Sequence, residues 1–280
     1  SGTVRLSTPD LHDYNLLNAS EKLEYERLAG LFTDTSPSRQ YTLDQDYARI
    51  FNNIQSGVET DWLSKPLRNA FSQSHSLSVD GGDERAKYNL GVRYGKDAGV
   101  MKGSDRSRLS TNFRLSYNVS GKFFVSNSST ISSVTNNESP YGDFSDWAKM
   151  NPYENPYDSD GKLRVSLYHD LANPLYDASL GSYTNTNAFD FLNTTSIQLW
   201  FGEKVRLDGD FTINRNKQNR RSFTSPLAYS EIRSKSADQR GSLSDNTVNT
   251  TTLQGKLMLS YNNYFFKKLF LTAMGGSSVE

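Results

Sequence analysis

The amino-acid sequence predicts an all-β chain with minor α content: an antiparallel transmembrane β-barrel fragment, an open curved sheet of about eight or nine strands, with two short helices near the N-terminus and long loops on one rim. Three observations predict it. From residue 75 onward apolar and polar residues alternate with period two, which places successive side chains on opposite faces of a strand. The connections between alternating segments are by turns short and long. Aromatic residues reach 12%, with 16 Tyr and 15 Phe, although hydrophobic residues amount to only 35%; a disordered chain lacks those aromatics, and a barrel with a wet interior does not need more hydrophobic residues.

The alternation is clearest over Ala86 to Gly95, where Tyr88, Leu90, Val92 and Tyr94 oppose Lys87, Asn89, Gly91 and Arg93. Leu109, Phe113, Leu115, Tyr117 and Val119 oppose Asn112, Arg114, Ser116 and Asn118. Further along, Leu207, Phe211 and Ile213 oppose Arg206, Asp208, Asp210, Thr212 and Asn214, and Leu253, Leu257, Leu259 and Tyr261 oppose Gln254, Lys256, Met258 and Ser260. Weaker strands are expected over Ser74–Val79, Lys122 to about Ser132, Phe191–Phe201, and Lys268 to about Met274. These pair as hairpins through the short links Asp80–Glu84, Ser120–Gly121, Gly202–Glu203 and Asn262–Lys267. The links between hairpins cover roughly Lys96–Ser107, Ser133–Asp190 and Arg215–Thr250.

An outer-membrane barrel has a reason for that sorting, because its periplasmic turns are tight and its extracellular loops long. Strands of about 9 to 11 residues match a bilayer at a tilt of about 45°. Tyr117, Phe123, Phe124, Trp200, Phe201, Tyr261, Tyr264, Phe265 and Phe266 gather beside the short turns, as a girdle of rings at headgroup level would. The competing architecture is a soluble sandwich whose apolar faces pack on a second sheet. Seven residues discriminate: Leu90, Val92, Leu115, Leu207, Phe211, Leu257 and Leu259 face lipid in a barrel and a filled core in a sandwich.

Residues 1–74 read as the end of a first strand, Thr3–Ser7, followed by a helical insertion; residues 75–280 form the barrel segment with its loops. Asn18 and Glu21 have capping-box spacing before a helix over about 19–29, stopped by Gly30. A second helix is expected from about Leu43 to Gln55, with Thr42 and Gln45 in capping-box register and Gly57 ending it. Tyr47, Ile50, Phe51 and Ile54 lie along one side of that helix.

Composition excludes several function classes. The 31 basic and 31 acidic side chains cancel, and no basic stripe speaks for nucleic acid. There is no cysteine, which removes disulfides, thiolate zinc sites and Cys nucleophiles. His12, His75 and His169 sit in no metal or triad motif, so neither a cofactor nor an enzymatic activity is expected. Asp158-Ser159-Asp160-Gly161 opens like a calcium loop, but its twelfth position is His169, and a polar turn is the better reading. Ser1 without an initiator Met and without a signal sequence suggests a mature or excised piece.

Several words of the sequence resemble, in order, motifs of SusC/RagA-like TonB-dependent transporters. They are Leu16-Leu17-Asn18-Ala19-Ser20-Glu21-Lys22-Leu23, Asp61-Trp62-Leu63, Asn69-Ala70-Phe71-Ser72-Gln73, Leu77-Ser78-Val79-Asp80-Gly81-Gly82 and Gly99-Val100-Met101-Lys102-Gly103-Ser104. The long loop adds Ser139-Pro140-Tyr141-Gly142, Met150-Asn151-Pro152-Tyr153 and Ala172-Asn173-Pro174-Leu175-Tyr176. That resemblance implies a barrel of about 22 strands, closed by a plug, in the outer membrane of a Gram-negative bacterium. It further implies import of oligosaccharides, peptides or similar large nutrients, driven by TonB, with a SusD-like surface lipoprotein as a lid. No TonB box or plug is found in these residues. The alternative class is an outer-membrane adhesin whose loops bind without moving cargo.

Function is expected in the loop from 133 to 190, since loops of that length bind, cap or gate. Tyr141, Trp147, Asn151, Tyr153 and Tyr176 are its candidate cargo- or partner-binding residues. Its aromatics have two possible roles: stacking on sugar rings beside polar neighbours, or packing the loop upon itself or a plug.

Overall fold

The computed structural model describes residues 1–266 and 269–280, with the side chain of Phe265 outside the description. Nine strands form one open sheet in sequence order, each antiparallel to the next. They are β1 (Gly2–Ser7), β2 (Ala70–Gly82), β3 (Ala86–Ala98), β4 (Asp105–Ser120), β5 (Phe123–Asn137), β6 (Tyr183–Phe201), β7 (Val205–Thr224), β8 (Ser242–Phe265) and β9 (Leu269–Val279). Strands β1 and β9 are its edges. Among the described residues no helix is long and apolar enough to cross a membrane.

Register carries the alternation across the whole sheet. Leu90 faces Phe113, Leu115 faces Tyr88 and Leu207 faces Leu259, while Phe211 lies opposite Thr195 and Leu257 opposite Gly209. All seven diagnostic residues therefore share one apolar face, and no second sheet covers it: Phe211 is 47% exposed and Leu257 55%. Among the described residues, none of the fully buried apolar side chains lies in β3–β9. The sandwich reading fails on that observation. Open clefts line the other, polar face, including one of about 940 Å³ among Asp80, Asn89, Arg114, Ser126, Thr194 and Ser196.

Most strands outrun the pattern. β5 ends at Asn137, β6 begins at Tyr183, β7 reaches Thr224 and β8 begins at Ser242, so the long links are shorter than expected. The cause is chemical: beyond Ile131, Ile213 and Leu253 the strands are mostly Ser, Thr, Asn and Arg, with only scattered apolar residues such as Val134, Phe223 and Val248, and period-two reading stops where apolar alternation stops. β2 starts at Ala70 and includes Gly81 and Gly82; the turn itself is Asp83–Arg85. Asp83 Oδ1 accepts from the backbone N–H groups of Arg85 and Ala86, both at 2.8 Å, which holds its carboxyl below the usual range. Gly82 has φ 133°, and a Cβ there would clash with the Ala86 carbonyl. The final link, expected over Asn262–Lys267, is strand as far as Phe265; Lys267, and Lys268 at the expected start of the next strand, lie outside the described residues.

The aromatic group beside the short turns divides by parity. Tyr117, Phe123, Phe201 and Tyr261 share the apolar face, whereas Phe124, Trp200 and Tyr264 lie on the other. Arg206 sits 5.4 Å from the Trp200 ring centroid, so these rings do not all form a lipid girdle.

Helix α1 (Ala19–Leu28) carries the predicted capping box: Asn18 Oδ1 accepts from Glu21 N at 2.8 Å, and Asn18 N donates to Glu21 Oε2 at 3.0 Å. Helix α2 (Pro37–Gln55) starts earlier than expected, at a proline in its first turn behind Ser36. Thr42 is interior and donates to the Ser38 carbonyl at 3.3 Å, so the Thr42/Gln45 capping box is not formed. Proline needs no helical N–H donor and presets φ, which makes Pro37 the better start.

Candidate functional site

Four connections meet on one rim and fold into a cap: residues 8–69 with α1 and α2, 99–104, 138–182 and 225–241. Short helices α3 (Phe144–Ala148), α4 (Pro174–Ser179) and α5 (Tyr229–Ser234) punctuate the last two. The cap has two small apolar cores. Ala19, Leu23, Ile50 and Tyr153 form one, with Phe32, Tyr47 and Ile54 against it. Trp62, Trp147 and Leu167 form the other, with Tyr141, Met150 and Leu175 around them.

The candidate residues therefore divide. Trp147 is 0% exposed, its ring centroid lies 6.1 Å from that of Trp62, and its indole N–H donates to the Tyr141 carbonyl at 2.8 Å. Tyr153 is 4% exposed, and its hydroxyl donates to the Glu26 carboxylate at 3.0 Å. Both hold the cap together, and neither presents a free ring to a ligand. Tyr141 is half-buried, 5.8 Å from Trp147 by ring centroid, and Tyr176 is half-buried on α4. Asn151 differs from them. Its carbonyl accepts from the Trp62 indole at 2.8 Å, and the residue lines a cleft of about 550 Å³ with Leu16, Lys22, Glu59, Asp61 and Met150.

A buried polar network, missed in the sequence, joins the helices to the long loop. Arg49 on α2 lies 3.5 Å from Glu154 and stacks over the Tyr168 ring at 3.2 Å. Asp46 lies 3.3 Å from His169. Asn53 donates to the Tyr153 carbonyl at 3.3 Å and Thr60 to the Glu154 carbonyl at 2.8 Å. Glu26, Asp46 and Glu154 are all buried, so their charges require these partners. Burial, with Glu26 beside it, pushes the Tyr153 hydroxyl well above its ordinary range; a hydrogen bond to Asp46 raises Tyr168. A signal was present: Glu26 follows Leu23 by three and Asp46 precedes Ile50 by four, which puts a carboxylate in the apolar row of each helix.

Other loops are sewn to the same cap. Asn173, fully buried, donates to the Pro156 and Arg164 carbonyls at 2.9 and 2.8 Å and accepts from Leu175 N at 3.2 Å. Asp177 accepts from Tyr229 N at 2.8 Å, and burial raises its carboxyl despite that bond. Arg68 donates to the Ser104 carbonyl at 3.0 Å. Asp158 Oδ1 accepts from Asp160 N and Lys162 N, each at 2.9 Å, so the carboxylate closes its own polar turn.

Below the cap, the polar face of the sheet is laced by side chains of like height. Ser196 donates to Asp210 at 2.6 Å, Arg206 to Asp208 at 2.8 Å and Asn112 to Asn89 at 3.1 Å. Such a wall is wettable and carries both charges.

No family model and no curated protein matches the chain. Solved structures do. A chain of the RagAB peptide transporter matches over 99% of this chain and 34% of its own length, with a TM-score of 0.73 at 15% identity. Over these residues the fold is like that of the RagAB transporter chain. The RagAB peptide importer in its closed-closed state matches at TM-score 0.70, 14% identity and coverage of 98% and 33%; the open-open state matches at 0.70, 15%, 99% and 33%. This chain thus spans about a third of the solved chains it matches, and at such identity the likeness is one of fold.

Proposed function

We propose that this chain is part of the wall and cap of a TonB-dependent transporter in a Gram-negative outer membrane, importing large nutrients such as peptides or oligosaccharides. One observation carries the reading: a single sheet has an uncovered apolar face on one side and a continuous polar face on the other, beneath a folded cap on one rim. Water on one face and lipid on the other satisfy both faces, and a barrel is the spanning β structure that permits this. The fold likeness to a peptide transporter over nearly the whole chain supports transport above adhesion.

In this reading the capped rim is extracellular, and cargo or a SusD-like lipoprotein meets the cap's outer surface. Asn151 contacts it from the 550 Å³ cleft, and Tyr141 and Tyr176 offer their exposed edges. Trp147 and Tyr153 contribute by keeping the cap folded. TonB would act through parts of the protein beyond these residues.

Deleting the gene for the full-length protein and measuring uptake of labelled oligopeptides and oligosaccharides tests the proposal. Uptake should fall for one of the two cargo classes and return on complementation. Unchanged uptake of both, with loss of surface adhesion instead, would favour the adhesin.

A further inference from the structure

The apolar face has a cationic step at its capped end, and on β7 it is made of two cations in one row. Along β7 the outward row runs Val205, Leu207, Gly209, Phe211, Ile213 and then Arg215 and Lys217. The two cations are exposed, and among the described residues neither has an acidic partner within ion-pair distance. Arg221, two positions further out on the same row, is instead engaged by Asp245 at 3.2 Å. The neighbours of Arg215 are Phe191 on β6 and Thr251 on β8; those of Lys217 are Phe189 and Asn249. Two residues along a strand span about 7 Å, so a guanidinium and an ammonium can close on one tetrahedral anion from both sides.

We propose that Arg215 and Lys217 hold the phosphate headgroup of an outer-leaflet lipid against the outside of β7. The inference rests on the membrane reading above. What singles out a lipid, rather than free phosphate, is continuity: Phe189 and Phe191 beside the cations, and Ile213 and Phe211 below them on β7, present the apolar surface that acyl chains need. Asn249 and Thr251 add an amide and a hydroxyl that suit a sugar-bearing headgroup. In register with the two cations β5 carries Ile131 and Ser133, without charge, and the outward Lys96 of β3 stands alone in its row opposite Ser107, so the pair of cations on one row is found on β7.

The test uses the full-length protein in detergent micelles doped with lipid A or with its dephosphorylated form, with retained lipid counted by native mass spectrometry. Wild type should retain lipid A about tenfold better than R215Q/K217Q, the order expected for losing charge-assisted contacts to one phosphate. The R215K/K217R exchange should retain most of it, and the exposed-helix control R27Q/R39Q all of it. Dephosphorylated lipid should bind wild type and R215Q/K217Q alike, and excess inorganic phosphate should not displace lipid A from wild type. Equal retention of lipid A by wild type and R215Q/K217Q, or displacement by inorganic phosphate, overturns the proposal. Vesicle flotation separates the two levels: a protein that floats but shows no R215Q/K217Q difference loses only this site, whereas one that never floats loses the membrane reading too.

Discussion

The cap and the wall are made from one chain, yet they are stabilised in opposite ways. The cap buries its own apolar side chains: Trp62, Trp147, Leu167, Leu23, Ile50 and Tyr153 all find partners within it, and its buried carboxylates find Arg49, His169 and Tyr153. The wall buries almost nothing. Its strands are held by backbone ladders from β1 to β9, while rows such as Leu115, Phe211 and Leu257 remain uncovered. A region with its own core suits water, and in the membrane reading proposed above the bare apolar face of the sheet meets a solvent that is itself apolar.

Mutations that respect this division sharpen the comparison, and those that ignore it would break it. The largest effect is expected in the cap. Trp147→Ala should cost about 3–5 kcal/mol, read as rapid proteolysis within residues 138–182 of the full-length protein in membranes while the barrel keeps its heat-modifiable migration. Loss of that migration would mean that cap and wall fold as one unit. Next comes the wall: Phe211→Arg should destabilise by about 2–4 kcal/mol in a bilayer, and Thr212→Arg, one residue along and on the polar face, by far less. Equal effects in lipid-refolding titrations would contradict the assignment of faces. The smallest is local. Asn18→Ala should cost about 1 kcal/mol, seen as faster amide exchange in the first turn of α1, with little further loss because Glu59 also accepts from Ala19 N at 2.9 Å.

The five candidate residues show where sequence reasoning stops. Proximity in one aromatic-rich loop put Trp147 and Tyr153 beside Asn151, but their roles depend on partners about ninety to well over a hundred residues away: Asn151 takes the Trp62 indole, and Tyr153 takes Glu26. An exposed ring and a buried one read alike in a sequence. A carboxylate in an apolar helical row, as at Glu26 and Asp46, was the visible sign that something would cover it.

By itself the sequence determined the antiparallel order, the apolar and polar faces, the rim that carries the loops, and the cap on α1. Each of these follows from local periodicity or from a motif of a few residues, since strand parity and helix capping are set within one or two turns of chain. The tertiary structure alone decided where the strands end, because their outer portions are mostly polar and their few apolar residues keep no sustained alternation. It also decided that the long loop folds back onto α1 and α2, because that choice lies in contacts between segments far apart in the chain, and no local spacing records them.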